Sequence, residues 1–102
     1  MDIYITITGY KHYFGIGIFN IGDTFLIKPE PENPHDKYAV AVYSEKYGKC
    51  GYIADTKVTA VQGTEPAKSL YDLDIDGAKI KIRFIAGEYI IASLEKPANI
   101  IY

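Results

Sequence analysis

Hydrophobic and polar residues alternate strictly at the start of the chain. In Ile3-Tyr4-Ile5-Thr6-Ile7-Thr8 the isoleucines share one side, and Tyr4, Thr6 and Thr8 share the other. That two-residue period predicts a half-buried β-strand. Gly9 breaks it, and Tyr10 to Gly17 mixes glycines with aromatic rings in no helical spacing, which reads as an irregular crossover. A turn at Asn20–Asp23 leads into Thr24-Phe25-Leu26-Ile27-Lys28, a strand predicted to stop at Pro29 and Pro31.

The next strand, about Ala39 to Tyr43, pairs with Lys49 to Ile53 across a turn at Ser44–Gly48. Beyond Ala54 the pattern predicts a short helix capped by Asp55 or Thr56, running through Gln62 to a stop at Gly63. A further helical turn, begun by Pro66, spans Glu65 to Tyr71. Asp72, Asp74 and Asp76 form an acidic patch that ends in a turn at Asp76-Gly77. Lys79 to Phe84 alternates again, with Ile80, Ile82 and Phe84 expected inward and Lys79, Lys81 and Arg83 outward. A turn at Ala86-Gly87-Glu88 returns the chain through Tyr89 to Leu94.

Many short strands, few helices and frequent Gly/Pro turns predict a mainly β protein. The expected fold is a small OB-like β-barrel with one or two short helices after the fourth strand, closed or nearly closed, which removes exposed strand edges. A single domain over residues 1–102 is expected from the length.

Composition narrows the possible functions. The net charge is −2, from 11 basic and 13 acidic residues, which argues against coating a nucleic acid by charge alone. A pocket that captures one or two phosphates stays open. The chain has ten tyrosines and no tryptophan; tyrosine serves both as a strand former and as a flat, polar-tipped stacking surface. No apolar run is long enough for a membrane span, and the alternating first residues, with Asp2, do not read as a secretory signal. The lone Cys50 has no partner for an internal disulfide, so a reducing, cytoplasmic setting is expected.

Catalytic chemistry finds little support. One cysteine with His12 and His35 gives no zinc spacing, so no metal and no cofactor is expected. Ser44, Ser69 and Ser93 lack a nucleophile-elbow setting, and Gly15-Ile16-Gly17 lacks the lysine and following helix of a phosphate loop. Cys50 reads as a small strand residue. The paired aspartates at 72, 74 and 76 read as solvated charge.

The group that carries chemistry is Lys11, His12 and Tyr13 with Asn33, His35, Asp36 and Tyr52: a cation, rings, an amide and a carboxylate around one rim. Alone, Asn33-Pro34-His35-Asp36 also reads as an ordinary turn whose side chains bond their own backbone.

Five segments share an order with a known family. They are Gly9-Tyr10-Lys11-His12-Tyr13, Gly22-Asp23-Thr24-Phe25-Leu26-Ile27, Pro31-Glu32-Asn33-Pro34-His35-Asp36, Ala39-Val40-Ala41-Val42 and Gly51-Tyr52-Ile53. Together they resemble the HIRAN domain, closely over about residues 3 to 63, and elsewhere only in length and strand content.

The resemblance implies a non-enzymatic, OB-like module that binds single-stranded DNA, and in eukaryotic members captures a free 3′ end. Such modules accompany DNA translocases that reverse stalled forks, in DNA repair. They also occur as small stand-alone bacterial and phage proteins, which this chain looks like. By position, Asp36 would accept a hydrogen bond from a terminal 3′-hydroxyl, and Asn33 would shape the loop or touch the end nucleotide. His35 stands where the family often has a tyrosine, Lys11 where it has an arginine, and His12 where it has an aromatic ring. Tyr13 lies beside His12, and Tyr52 matches a ring flanking the end site.

The expected partner is therefore single-stranded DNA, bound by a monomer. A protein–protein interaction barrel that takes a peptide in the same groove is the alternative. The apolar tail Ile100-Ile101-Tyr102 offers a contact for a protein partner or a weak dimer.

Overall fold

A computed structural model describes residues 3–55, 60–70, 73 and 75–95. Strands β1 (Tyr4–Thr8), β2 (Thr24–Pro29), β3 (Val40–Ser44) and β4 (Gly48–Ile53) precede a short helix α1 (Ala67–Leu70). Strands β5 (Lys79–Ala86) and β6 (Tyr89–Leu94) follow it. The six strands close into an antiparallel barrel in the order β1-β4-β3-β2-β5-β6, with β6 pairing back onto β1. The chain thus adopts the mainly β barrel its pattern predicts, with one α-helix after β4 among the described residues.

Every strand feeds the interior. Ile5 and Ile7, Phe25 and Ile27, Val40 and Val42, Cys50 and Ile53, Ile80 and Ile82, and Ile90 and Ala92 form one apolar cluster. Burying each large aliphatic side chain contributes about 1.5–3 kcal/mol, so this cluster is the main source of stability. Tyr10 and Phe19 close one part of it, the Tyr10 ring meeting Phe19 edge-on at 6.3 Å and Phe19 packing on Phe25 at 4.9 Å.

The structure departs from the expected alternation at Phe84 and at Thr6, each with a physical cause. Phe84, expected inward, is 56% exposed. A bulge between Ile82 and Phe84 leaves Arg83 as the extra residue and shifts the inward phase, so that Ile85 is the half-buried side chain beyond it. Thr6, expected outward, is buried. Its hydroxyl accepts the Val61 N–H at 3.0 Å and meets the Thr64 hydroxyl at 2.8 Å, so residues 60–66 roof this side of β1. Since Thr64 already donates to the Val61 carbonyl, Thr6 is the donor in its bond to Thr64.

Strand β2 runs one residue further than expected. Pro29 pairs in register with Val40, and its missing N–H is tolerated at the strand's end. Residues 60–64 form bends and turns rather than the last part of a helix, while residues 56–59 of that expected helix lie outside the described residues. So do Tyr71, Asp72, Asp74 and the tail 96–102. The second expected helical turn is present as α1.

Candidate functional site

The β3–β4 hairpin is the platform. Its tip, Glu45-Lys46-Tyr47, is held by the Ser44 hydroxyl, which accepts the N–H groups of Lys46 at 3.1 Å and Tyr47 at 3.2 Å. Gly48 closes the turn with φ +81°, a conformation that only glycine adopts freely. One step on, Val42 pairs with Gly51 while Tyr43 pairs with Lys49, which leaves Cys50 as a bulged residue. The bulge turns Lys49 and Tyr52 to the same outer side, although three positions separate them.

Their charges are then settled by Glu30, which follows β2. The Lys49 ammonium pairs with Glu30 and also donates to the Tyr52 phenol at 3.1 Å. Tyr52 donates to Glu30 Oε1 at 2.8 Å, and the Asn33 amide donates to the same oxygen at 3.0 Å. Burial alone would raise the Glu30 carboxyl, but the bonds from Lys49, Asn33 and Tyr52 outweigh it and hold the group below its usual range. The bond to Glu30 raises Lys49. Burial pushes the Tyr52 phenol up to about 12, with Lys49 pulling against it and Glu30 and the neighbouring Tyr13 phenol adding to it.

The loop of residues 30–38 is shaped by its own side chains, as its turn chemistry predicts. Asn33 Oδ1 accepts the N–H of His35 at 2.9 Å and of Asp36 at 3.0 Å, and Asp36 Oδ1 accepts the Tyr38 N–H at 2.9 Å. Glu30, Pro31, Glu32, Asn33, Pro34, His35, Lys49 and Tyr52 line an open cleft of about 640 Å³. Asp36 follows His35 in the chain but is outside that lining. It is half-buried beside Asp55, whose carboxyl it holds above the usual range, with burial adding to the effect. The ammonium groups of Lys37 and Lys68 each lie about 5 Å from the Tyr38 ring centroid, at 5.2 and 5.1 Å, so cations flank this end of the loop.

Gly51 lets the crossover after β1 lie across this platform. A Cβ there would stand 3.0 Å from the Thr8 carbonyl oxygen and 3.2 Å from Ile7 Cγ2. The 3-10 turn Tyr10–His12 therefore sits close over β4, and Tyr13, the next residue, meets Tyr52 with ring centroids 6.3 Å apart.

Of the residues singled out in the sequence, the structure brings Asn33, His35 and Tyr52 to one cleft, with Tyr13 against Tyr52 and Asp36 next along the loop. Lys11 and His12 are not in that cleft. They line a second, smaller cavity of about 330 Å³ with Thr6, Gly9, Glu88 and Tyr89. There the Lys11 ammonium pairs with Glu88 at 2.8 Å in an exposed contact.

Four residues were missed. Glu30 and Lys49 organise the cleft, and Phe14 and Tyr47 form a second, exposed ring pair with centroids 5.2 Å apart. A tyrosine inside a polar Ser-Glu-Lys-Tyr-Gly turn is the sequence signal for the latter, since a turn tip has no core to enter. Among the described residues, no cluster of three His, Cys, Asp or Glu side chains is placed to hold a metal ion, and no helix is long and apolar enough to cross a membrane.

The architecture defines a class: a small closed β-barrel carrying an external cleft walled by rings and a hydrogen-bonded loop. The model of the HIRAN domain matches residues 1–62, and the chain belongs to the HIRAN family. HIRAN domains are known in general as DNA-binding modules.

Two solved structures share the fold. A Lactobacillus plantarum protein from a structural-genomics programme superposes with TM-score 0.63 at 18% identity, covering 92% of this chain and 89% of that one. The HIRAN domain of human HLTF superposes with TM-score 0.59 at 17% identity, covering 91% of this chain and 74% of that one. No curated protein sequence matches the chain.

Proposed function

We propose that this chain is a non-enzymatic, cytoplasmic module that binds single-stranded DNA and receives the strand's 3′-hydroxyl end at the 30–38 loop. The observation that carries this reading is the shared placement of Asn33, His35 and Tyr52 in one open cleft, with the Tyr13 ring tilted against Tyr52. Rings supply sequence-tolerant stacking for bases, and Lys49, Lys37 and Lys68 supply local cations in a chain whose net charge is −2.

Asp36 is the proposed end reader. It already faces Asp55, a like-charged neighbour. A hydroxyl that donates to this pair relieves their repulsion, whereas a terminal phosphate adds further negative charge. Asn33 keeps the loop in shape through its bonds to residues 30, 35 and 36. Lys11 and His12 lie at the second cavity, where they would meet a phosphate further from the end.

The test is a titration with short oligonucleotides ending in a 3′-hydroxyl or a 3′-phosphate. The hydroxyl-ended strand should bind more tightly, and Asp36→Ala should remove that preference while leaving general binding in place. Equal affinity for both ends in the wild type removes the end-reading role.

A further inference from the structure

Phe14 and Tyr47 are 49% and 44% exposed, yet they pair with ring centroids 5.2 Å apart and planes inclined by 39°. The barrel core is complete without them. Both rings sit on backbone that is firmly held. Phe14 lies in a turn where Tyr13 N–H and Gly15 N–H both donate to the Tyr10 carbonyl, at 3.0 and 2.9 Å. Tyr47 lies in the turn fixed by Ser44. The Lys46 ammonium stands 5.2 Å from the centre of the Tyr47 ring.

The placement repeats that of Tyr13 and Tyr52. In each pair one ring comes from the crossover after β1 and the other from the β3–β4 hairpin. Tyr13 and Phe14 are consecutive, and Lys49 lies between Tyr47 and Tyr52 in the chain. Each hairpin ring also carries a lysine ammonium over it, Lys46 at 5.2 Å from the Tyr47 centroid and Lys49 at 5.3 Å from that of Tyr52, so two ring pairs of like construction follow one another along the same two segments. Rings held on rigid turns bind a flat partner with little ordering cost, and flanking cations favour a partner that carries negative charge between its flat groups.

We propose that Phe14 and Tyr47, with Lys46, form a second base-stacking subsite that holds an interior nucleotide of the same single strand whose end enters the Tyr52 cleft. This rests on the single-strand reading above and adds a footprint to it: the bound strand runs from the 30–38 loop toward the tip of the β3–β4 hairpin.

The experiment compares oligothymidylates two and eight nucleotides long on the wild type, Phe14→Ala, Tyr47→Ala and Tyr52→Ala, each checked for an unchanged melting curve. Phe14→Ala and Tyr47→Ala should weaken the longer strand roughly 5- to 100-fold and leave the dinucleotide unaffected. Tyr52→Ala should weaken both. If Tyr52→Ala weakens both lengths and the other two variants bind the longer strand like the wild type, the second subsite is overturned while the cleft stands. If the wild type binds neither length, the parent reading fails and this one fails with it. If sedimentation shows a dimer that Phe14→Ala dissolves with no change in DNA affinity, the pair belongs to a self-contact, and the subsite is again overturned.

Discussion

The Lys49 ammonium donates to the Tyr52 phenol oxygen at 3.1 Å, although the two residues are three apart on one strand and would face opposite sides of a regular one. The bulge at Cys50 makes this meeting possible, and Glu30 fixes it by accepting from Tyr52 and pairing with Lys49. The wall of the candidate cleft is therefore built by a register fault rather than by the regular pleat.

Glu30 is the hinge of that wall. Glu30→Gln should lower stability at neutral pH by about 2 kcal/mol, the usual scale of a lost hydrogen bond to a charged group. The folded-state pKa of Glu30 is depressed. Its contribution is thus present above the unfolded carboxylate's pKa and is lost as pH falls through the folded one. Denaturant melts from neutral to acid pH should show a flatter profile in the variant. A variant with the same acid slope as the wild type would show that the Glu30 bonds do not form.

Gly51 lets the end of β1 lie close against β4. Gly51→Ala pushes a methyl group against the Thr8 carbonyl and Ile7, both parts of β1 and neither free to move aside. A loss of about 1–3 kcal/mol is expected from such overpacking. The Tyr13–Tyr52 contact should loosen with it, visible as a change in the near-ultraviolet circular dichroism of the tyrosines. An unchanged melting temperature and spectrum would contradict the close approach.

Cys50 is fully buried, and its thiol approaches the Val42 carbonyl at 3.5 Å. Burial pushes the thiol up to about 11. At neutral pH it should resist iodoacetamide in the folded protein and react at the ordinary thiol rate once denaturant is added. Rapid labelling of the native protein would show the bulge to be open.

Much of the barrel was legible because its determinants are local. The Ile3-Ile5-Ile7 alternation, the Asp76-Gly77 turn and the Gly87 turn between β5 and β6 each state their own geometry. The loop at Asn33–Asp36 was legible twice over, as self-bonded turn chemistry and as a family signature. What was hidden depends on partners distant in sequence. Thr6 is buried because Val61 and Thr64 cover it, and Phe84 is exposed because of a bulge that its own strand does not announce. Lys11 and His12 line a different cavity from the 30–38 loop, a separation of which the sequence pattern carries no trace.

The claim that this cleft receives single-stranded DNA is tested most directly by amide-resolved NMR during addition of a short, hydroxyl-ended oligonucleotide. Shifts should concentrate on residues 30–38, on Lys49 and Tyr52, and on Tyr13. Shifts confined to another face, such as the exposed Ile21 and Phe84 side chains, or no shifts at saturating strand, would contradict it.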